Sequence, residues 1–377
     1  MTVRITKPEF KLREKITELD KPSGIKGNDL LKSETTQDAR DLISAGRRNL
    51  IINGSMAVAQ RTTSISAQSF SSPFYPTCDR WQLRSGGLDQ ANFDVSQQND
   101  APRGVCTKSI KVDVNAAESA LSSGEYLWMA QTIEAQNCSD LGFGDLNASD
   151  LTISFYVKSN VIGKYTVYLY TQDPNRYITR TYTIDTSGQW ERKILHIPGD
   201  TDGNAIVHDN GIGLKIYWYL VAGSDYTSAD SRAWASHSSS GTAYGHEVFF
   251  AGSTSNYWQL TGVQVERGSN ATEFENRSMG EELILCKRYY QSVSGEIVGF
   301  IPNSSNQRVP IPMFPVQFRD DPTYSVDSNV FVEFSAGTHR TVSAFHSSTV
   351  HGGGYAQLSS PYPANGLYLT IKANAEL

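Results

Sequence analysis

Residues 151–159 read LTISFYVKS, in which Leu151, Ile153, Phe155 and Val157 alternate with Thr152, Ser154, Tyr156 and Lys158. A period of two sends successive side chains to opposite faces of an extended chain, so the stretch predicts a half-buried β-strand. Two later stretches repeat the pattern. They are KYTVYLYTQD at 164–173 and GIGLKIYWYLVAGS at 211–224, where Ile212, Leu214, Ile216, Trp218 and Leu220 form the apolar set. Between such runs lie the turn sequences DPN, TSGQW and PGDTDGN, with no helical pattern intervening. Strands joined by tight turns pair antiparallel, which predicts a mainly β protein, an antiparallel sandwich of two packed sheets in the manner of a jelly roll.

The bulk composition agrees. The 377 residues include 19 Tyr, 15 Phe, six Trp and 30 Gly, against 33 Lys plus Arg and 39 Asp plus Glu. Aromatic residues punctuated by glycine favour strands and turns. A net charge of -6, with no basic run beyond Arg47 and Arg48, argues against a nucleic-acid surface. No apolar stretch is long enough to span a bilayer as a helix, and the charged start MTVRITKPEFKLREK carries no signal sequence, so no membrane insertion is expected. Cys78, Cys106, Cys138 and Cys286 stand tens of residues apart, unlike a zinc site or a disulfide scaffold.

Four segments follow from the patterning. Residues 1–48 read as a charged helical segment: Leu12, Ile16 and Leu19 make a narrow stripe ended by Pro22, and Ser33 and Gly46 bound a second helix. Residues 49–278 form the jelly roll, 279–295 a linker helix with Leu283, Ile284, Lys287 and Tyr290 at helical spacing, and 296–377 a small C-terminal β domain. The strand WQLTGVQVE at 258–266 closes the sandwich and leads into an exit loop.

A search for chemistry returns little. No phosphate loop and no strand-bound GxGxxG occurs; HGGGY at 351–355 has no GxSxG to serve as its nucleophile elbow. Asp200, Asp202 and Asn204 occupy the first, third and fifth places of a calcium-type loop, but Ala205 replaces the required glycine and the closing Glu is missing, which favours a polar turn. Glu266, Glu273, Glu275, Glu281 and Glu282 have no arguable partner acid, and no cofactor is expected. The sequence therefore predicts no enzyme.

The functional signal lies on the polar faces of the strands. With the apolar sets inward, Tyr156, Tyr168, Tyr170, Tyr217 and Tyr219 point outward together with Lys158 and Lys215. Rings flanked by hydrogen-bonding groups suit the apolar faces of sugars, and equally suit a subunit interface or a covering loop. Tyr177, Tyr226, Trp234, Tyr244 and Tyr257, in expected loops, are further candidates for a binding edge.

Several stretches taken together resemble a family of virion proteins of marine cyanobacterial phages, described as tail fibre or structural proteins. They are GRRNLIINGSMAVAQRTTS, CDRWQL, LTISFYVKS, WQLTGVQVERGSNATEFENRS, EELILCKRYYQ and FPVQFRDDPTYSV, in that order from about residue 46 to 325. The resemblance implies a virion component, made in the host cytoplasm, with a jelly roll like a carbohydrate-binding module. It implies a homo-oligomer, commonly a trimer. On that footing residues 1–48 are expected to attach the chain to other virion proteins, with the β domains displayed outward for recognition of host surface glycans. It implies no catalytic residues. The alternatives left open are a head decoration or tail connector protein with a purely assembly role and, more remotely, a polysaccharide depolymerase.

Overall fold

The computed structural model describes residue 32 and residues 48–301, 308–311, 314–326, 331–332, 339–340, 342–346, 354–358 and 364–377. The chain divides into two compact units, Met1–Arg48 and Asn49–Leu377. The helices expected within 1–48 lie outside the described residues.

Two six-stranded antiparallel sheets make the sandwich. The first runs in the order β1 (Ser64–Gln68), β3 (Asn92–Gln98), β4 (Ser109–Ala116), β12 (Tyr257–Arg267), β6 (Leu151–Ser159) and β9 (Glu191–Ile197). The second runs β11 (Ala235–Ser236), β8 (Arg176–Ile184), β7 (Gly163–Thr171), β10 (Ile212–Ala222), β5 (Tyr126–Glu134) and β2 (Gln82–Gly86). Consecutive strands cross repeatedly between the sheets, giving the jelly-roll arrangement. The predicted apolar alternations fill the space between them. Leu151, Ile153, Phe155 and Val157 face Leu214, Ile216, Trp218 and Leu220, all fully buried. Trp218 packs against Trp81 at 5.5 Å and edge-on against Phe155 at 5.9 Å, favourable aromatic separations at the centre of the core.

The closing strand carries a bulge. Thr261 pairs with Tyr156 and Gln264 with Ser154, so Gly262 and Val263 together oppose the single Phe155. Gly262 adopts φ +59°, open to glycine at little cost, and the extra residue switches the inward set from Trp258 and Leu260 to Val263 and Val265. Gln264 and Glu266 take the other face, yet both are buried, because the exit loop folds back over them. Thr272 donates to Glu266 from its backbone N–H (2.9 Å) and hydroxyl (2.7 Å), and Gln264 accepts from the Glu275 N–H at 2.8 Å. Glu266 is thus a loop-fixing carboxylate. The segment from Asn49 lies alongside, with Leu50 donating to the Val265 carbonyl and the Gln131 side chain exchanging two 2.8 Å hydrogen bonds with the Ile52 backbone.

The predicted linker helix is shorter than its sequence spacing implied. It runs Met279–Lys287 under a capping box formed by Ser278 and Glu281, and Tyr290, expected on its face, instead opens the strand Tyr290–Ile301. The reason is the anchoring of the intervening residues on the sandwich. Arg288 donates two 2.8 Å hydrogen bonds to Glu134, Tyr289 donates a third, and the buried Arg80 guanidinium stacks 3.5 Å from the Tyr289 ring while pairing with Glu376. Beyond it, Tyr290–Ile301, Ala364–Asn374 and Thr323–Val326 form a three-stranded sheet, and Arg308–Ile311, Gly354–Leu358 and Val342–His346 another.

Candidate functional site

Strand pairing arranges the outward side chains of the second sheet in rows. Tyr177, Tyr170, Lys215 and Thr132 stand abreast in one; Thr179, Tyr168, Tyr217, Ala130 and Gln82 in the next; Thr181, Thr166, Tyr219, Trp128 and Arg84 in a third. The rings interlock. Tyr217 lies 5.0 Å from Tyr168 and meets Trp128 edge-on at 4.9 Å, while Tyr170 stacks on Tyr168 at 6.3 Å. Cross-strand aromatic pairs of this kind stiffen a sheet face, contributing roughly 0.2–1 kcal/mol each.

Five of the seven predicted site residues therefore share one face, and the set needs correction in two respects. Tyr156 and Lys158 belong to β6, in the other sheet, so they point out of the opposite side of the sandwich. Lys158 is there bound to Asp100 at 2.8 Å. Two others are outward but covered. The chain from Gly223 to His246 folds over Tyr168, Tyr177 and Tyr219, packing Ala243 against them, with the Tyr219 hydroxyl donating to Thr242 and the Thr166 hydroxyl to the Ala243 and Tyr244 carbonyls. Burial raises the Tyr168 and Tyr219 phenols well above their ordinary value.

Tyr170, Lys215 and Tyr217 are left half-buried at the surface, and the structure adds Trp128, Arg84 and Tyr126 beside them. Lys215 makes no hydrogen bond or ion pair with any described residue, and burial lowers its ammonium below the ordinary lysine range. Arg84 lies over the Tyr126 ring at 5.8 Å, with its Nε buried and unpartnered among the described residues. Tyr170 donates to Asn175 at 3.0 Å, and the exposed His237 ring caps it at 5.2 Å. The face thus presents flat apolar rings next to two cations free to donate.

The contribution of β5 was missed in the sequence, although YLWMAQTIE at 126–134 alternates Leu127, Met129, Gln131 and Ile133 inward with Tyr126, Trp128, Ala130 and Thr132 outward. Gln131 stands in the apolar set because it binds the Ile52 backbone, and that polar residue hid the period. Of the expected loop aromatics, Tyr177 is in β8 and Tyr257 in β12; Tyr226 packs edge-on against Tyr126 at 5.3 Å, and Trp234 donates to the Pro198 carbonyl beside Phe143.

The calcium-type loop is occupied by an arginine. Arg176 donates to both Asp200 carboxylate oxygens, at 2.7 and 3.0 Å, and its Nη1 lies 3.5 Å from Asp202, while Asn204 is exposed. A guanidinium already neutralises the carboxylates that a cation would need. No cluster of three metal-ligating side chains occurs among the described residues, and the four cysteines are unbonded.

No protein-family model and no curated protein matches the sequence. Similar solved structures exist. The enzymatically active domain of tailspike protein 4 from bacteriophage CBA120 aligns at 12% identity over 50% of this chain and 19% of its own, with a TM-score of 0.29. A family 11 carbohydrate-binding module from Clostridium thermocellum, in complex with a mixed-linked tetrasaccharide, aligns at 11% identity over 56% of this chain and 99% of its own, with a TM-score of 0.27. The module TmCBM61, in complex with β-1,4-galactotriose, aligns at 13% identity over 59% and 99%, also at 0.27.

Proposed function

We propose that the protein is a non-enzymatic glycan-binding component of a phage particle and that the outer face of the second sheet is its binding surface. The observation that carries the reading is the pairing of two accessible rings, Tyr170 and Tyr217, with two cationic side chains, Lys215 and Arg84, that no described carboxylate engages. A sugar ring offers an apolar face to an aromatic ring and hydroxyls around its edge to donors, and this face supplies both. The rings are held from the side by Tyr168 and Trp128, so little side-chain freedom is lost on binding.

The setting comes from the sequence stretches that resemble cyanophage virion proteins. In that setting residues 1–48 attach the chain to the particle, and the sandwich is displayed toward host surface glycans. Affinity at one site is low, and a trimer on a multivalent particle compensates through effective concentration.

The test is binding of the purified protein to host cells. Tyr217→Ala combined with Tyr170→Ala abolishes binding and leaves the oligomer intact; loss of the oligomer instead identifies the face as a subunit interface and overturns the reading. Breakdown of host polysaccharide by the wild-type protein overturns the non-enzymatic part.

A further inference from the structure

Along β7 the outward side chains run Tyr170, Tyr168, Thr166 and Lys164. The covering chain sits on Tyr168 and Thr166, and Lys164 emerges beyond it in a separate cavity of about 650 Å³. That volume suits one or two sugar residues. Its walls bring together Lys164, Arg180 and Arg232 with a single carboxylate, Glu247, while Thr181 and the half-buried Tyr244 ring supply a hydroxyl and an apolar surface.

The three cations differ. Lys164 is paired with Glu247 and Arg232 with Asp230, and all four of these side chains are well exposed, so these pairs are screened by water and open readily. Arg180 is half-buried and has no carboxylate among the described residues. Its Nε donates to the His196 carbonyl at 2.8 Å and its Nη1 to the Thr179 and Arg232 carbonyls at 2.8 and 2.7 Å. These bonds fix the guanidinium in place without neutralising it, and burial works against its charge. Holding a half-buried charge without a counter-ion is costly, and the second terminal nitrogen of Arg180 makes no hydrogen bond with a described residue.

We propose that this cavity is a second subsite, which takes the carboxylate of an acidic sugar residue, a uronic acid, on the Arg180 guanidinium with its ring against Tyr244. The choice of a sugar acid over a free anion rests on the glycan-binding reading above; the site itself does not use the tyrosine face. With Nε and Nη1 of Arg180 already donating to carbonyls, the carboxylate is held by the charge and by the remaining terminal nitrogen, and Arg232, which lies over the same Tyr244 ring at 5.6 Å, supplies further donors.

The experiment is titration of the full chain with trigalacturonate, with the neutral trisaccharides galactotriose, cellotriose and xylotriose, and with sodium sulfate, read by isothermal calorimetry. Wild type binds trigalacturonate, more weakly as salt is raised, and Arg180→Gln reduces that affinity by about tenfold or more. Arg232→Ala removes an exposed side chain while retaining the carbonyl that accepts from Arg180, so it keeps the fold whatever Arg180→Gln does, and it reduces uronate affinity several-fold. The inference is overturned if wild type binds neutral trisaccharides but not trigalacturonate, if both arginine variants bind it as tightly as wild type, or if sulfate displaces it at equal concentration. Binding of no saccharide at all overturns this subsite and the tyrosine face together.

Discussion

Tyr217 and Tyr168 stand opposite one another on β10 and β7 with ring centroids 5.0 Å apart, yet Tyr168 is only 4% exposed beneath the Gly223–His246 chain while Tyr217 remains at the surface. The two rings touch but have different tasks. Tyr168→Ala empties a buried position and should lower stability by about 3 kcal/mol, whereas Tyr217→Ala should cost under about 1 kcal/mol. Chemical denaturation of both variants checks this; equal losses would mean that Tyr217 too is structural.

Acid should loosen the attachment of the C-terminal part. Burial works against the charge on Glu134, but the hydrogen bonds from Arg288 and Tyr289 outweigh it and hold the carboxyl below its ordinary range. A depressed folded value means that the contribution is complete above the unfolded value, about 4.3, and is lost as pH falls through the folded one. The melting temperature should therefore drop between about pH 5 and pH 3, and Glu134→Gln should start lower and fall less steeply.

Arg176→Ala leaves Asp200 buried without its partner and should destabilise by about 3 kcal/mol, at the lower end for a broken buried pair because the arginine retains some exposure. Added calcium should leave the melting temperature of the wild-type protein unchanged. A rise of several degrees at millimolar calcium would restore the cation site that the Arg176 contact argues against.

Gly262→Val should cost about 2 kcal/mol or more, since a β-branched residue at φ +59° is strained and its Cβ would lie 2.9 Å from the Tyr156 ring. Thermal melts check the loss. An unchanged stability would show that the bulge, and with it the switch of parity along β12, is not required.

These sites also mark what the sequence could and could not convey. Strands whose two faces differ, such as Leu151–Ser159 and Ile212–Ala222, declare themselves because one face must be apolar to be buried. Period two cannot say which sheet a strand joins, and so Tyr156 and Lys158 were grouped with tyrosines that lie across the sandwich from them. Nor does it register coverage by a distant segment. Tyr168 and Tyr219 look like Tyr170 and Tyr217 in the sequence, and only the return of Ala243 and Thr242 over them separates the two pairs. Trp128 escaped for the related reason that Gln131, facing inward, answers to Ile52 on another segment. The tyrosine face was legible as residue types; the extent of its uncovered part, three of the original seven residues with Trp128 and Arg84 beside them, required the tertiary contacts.

The most direct measurement is a residue-resolved NMR titration of the full chain with a panel of the neutral oligosaccharides cellohexaose, xylohexaose and galactotriose. Binding on the tyrosine face predicts shifts concentrated at Tyr170, Lys215, Tyr217, Trp128 and Arg84, abolished in Tyr217→Ala. Saturable binding of these neutral sugars that leaves those five residues unperturbed, or no binding by any member of the panel, would contradict it.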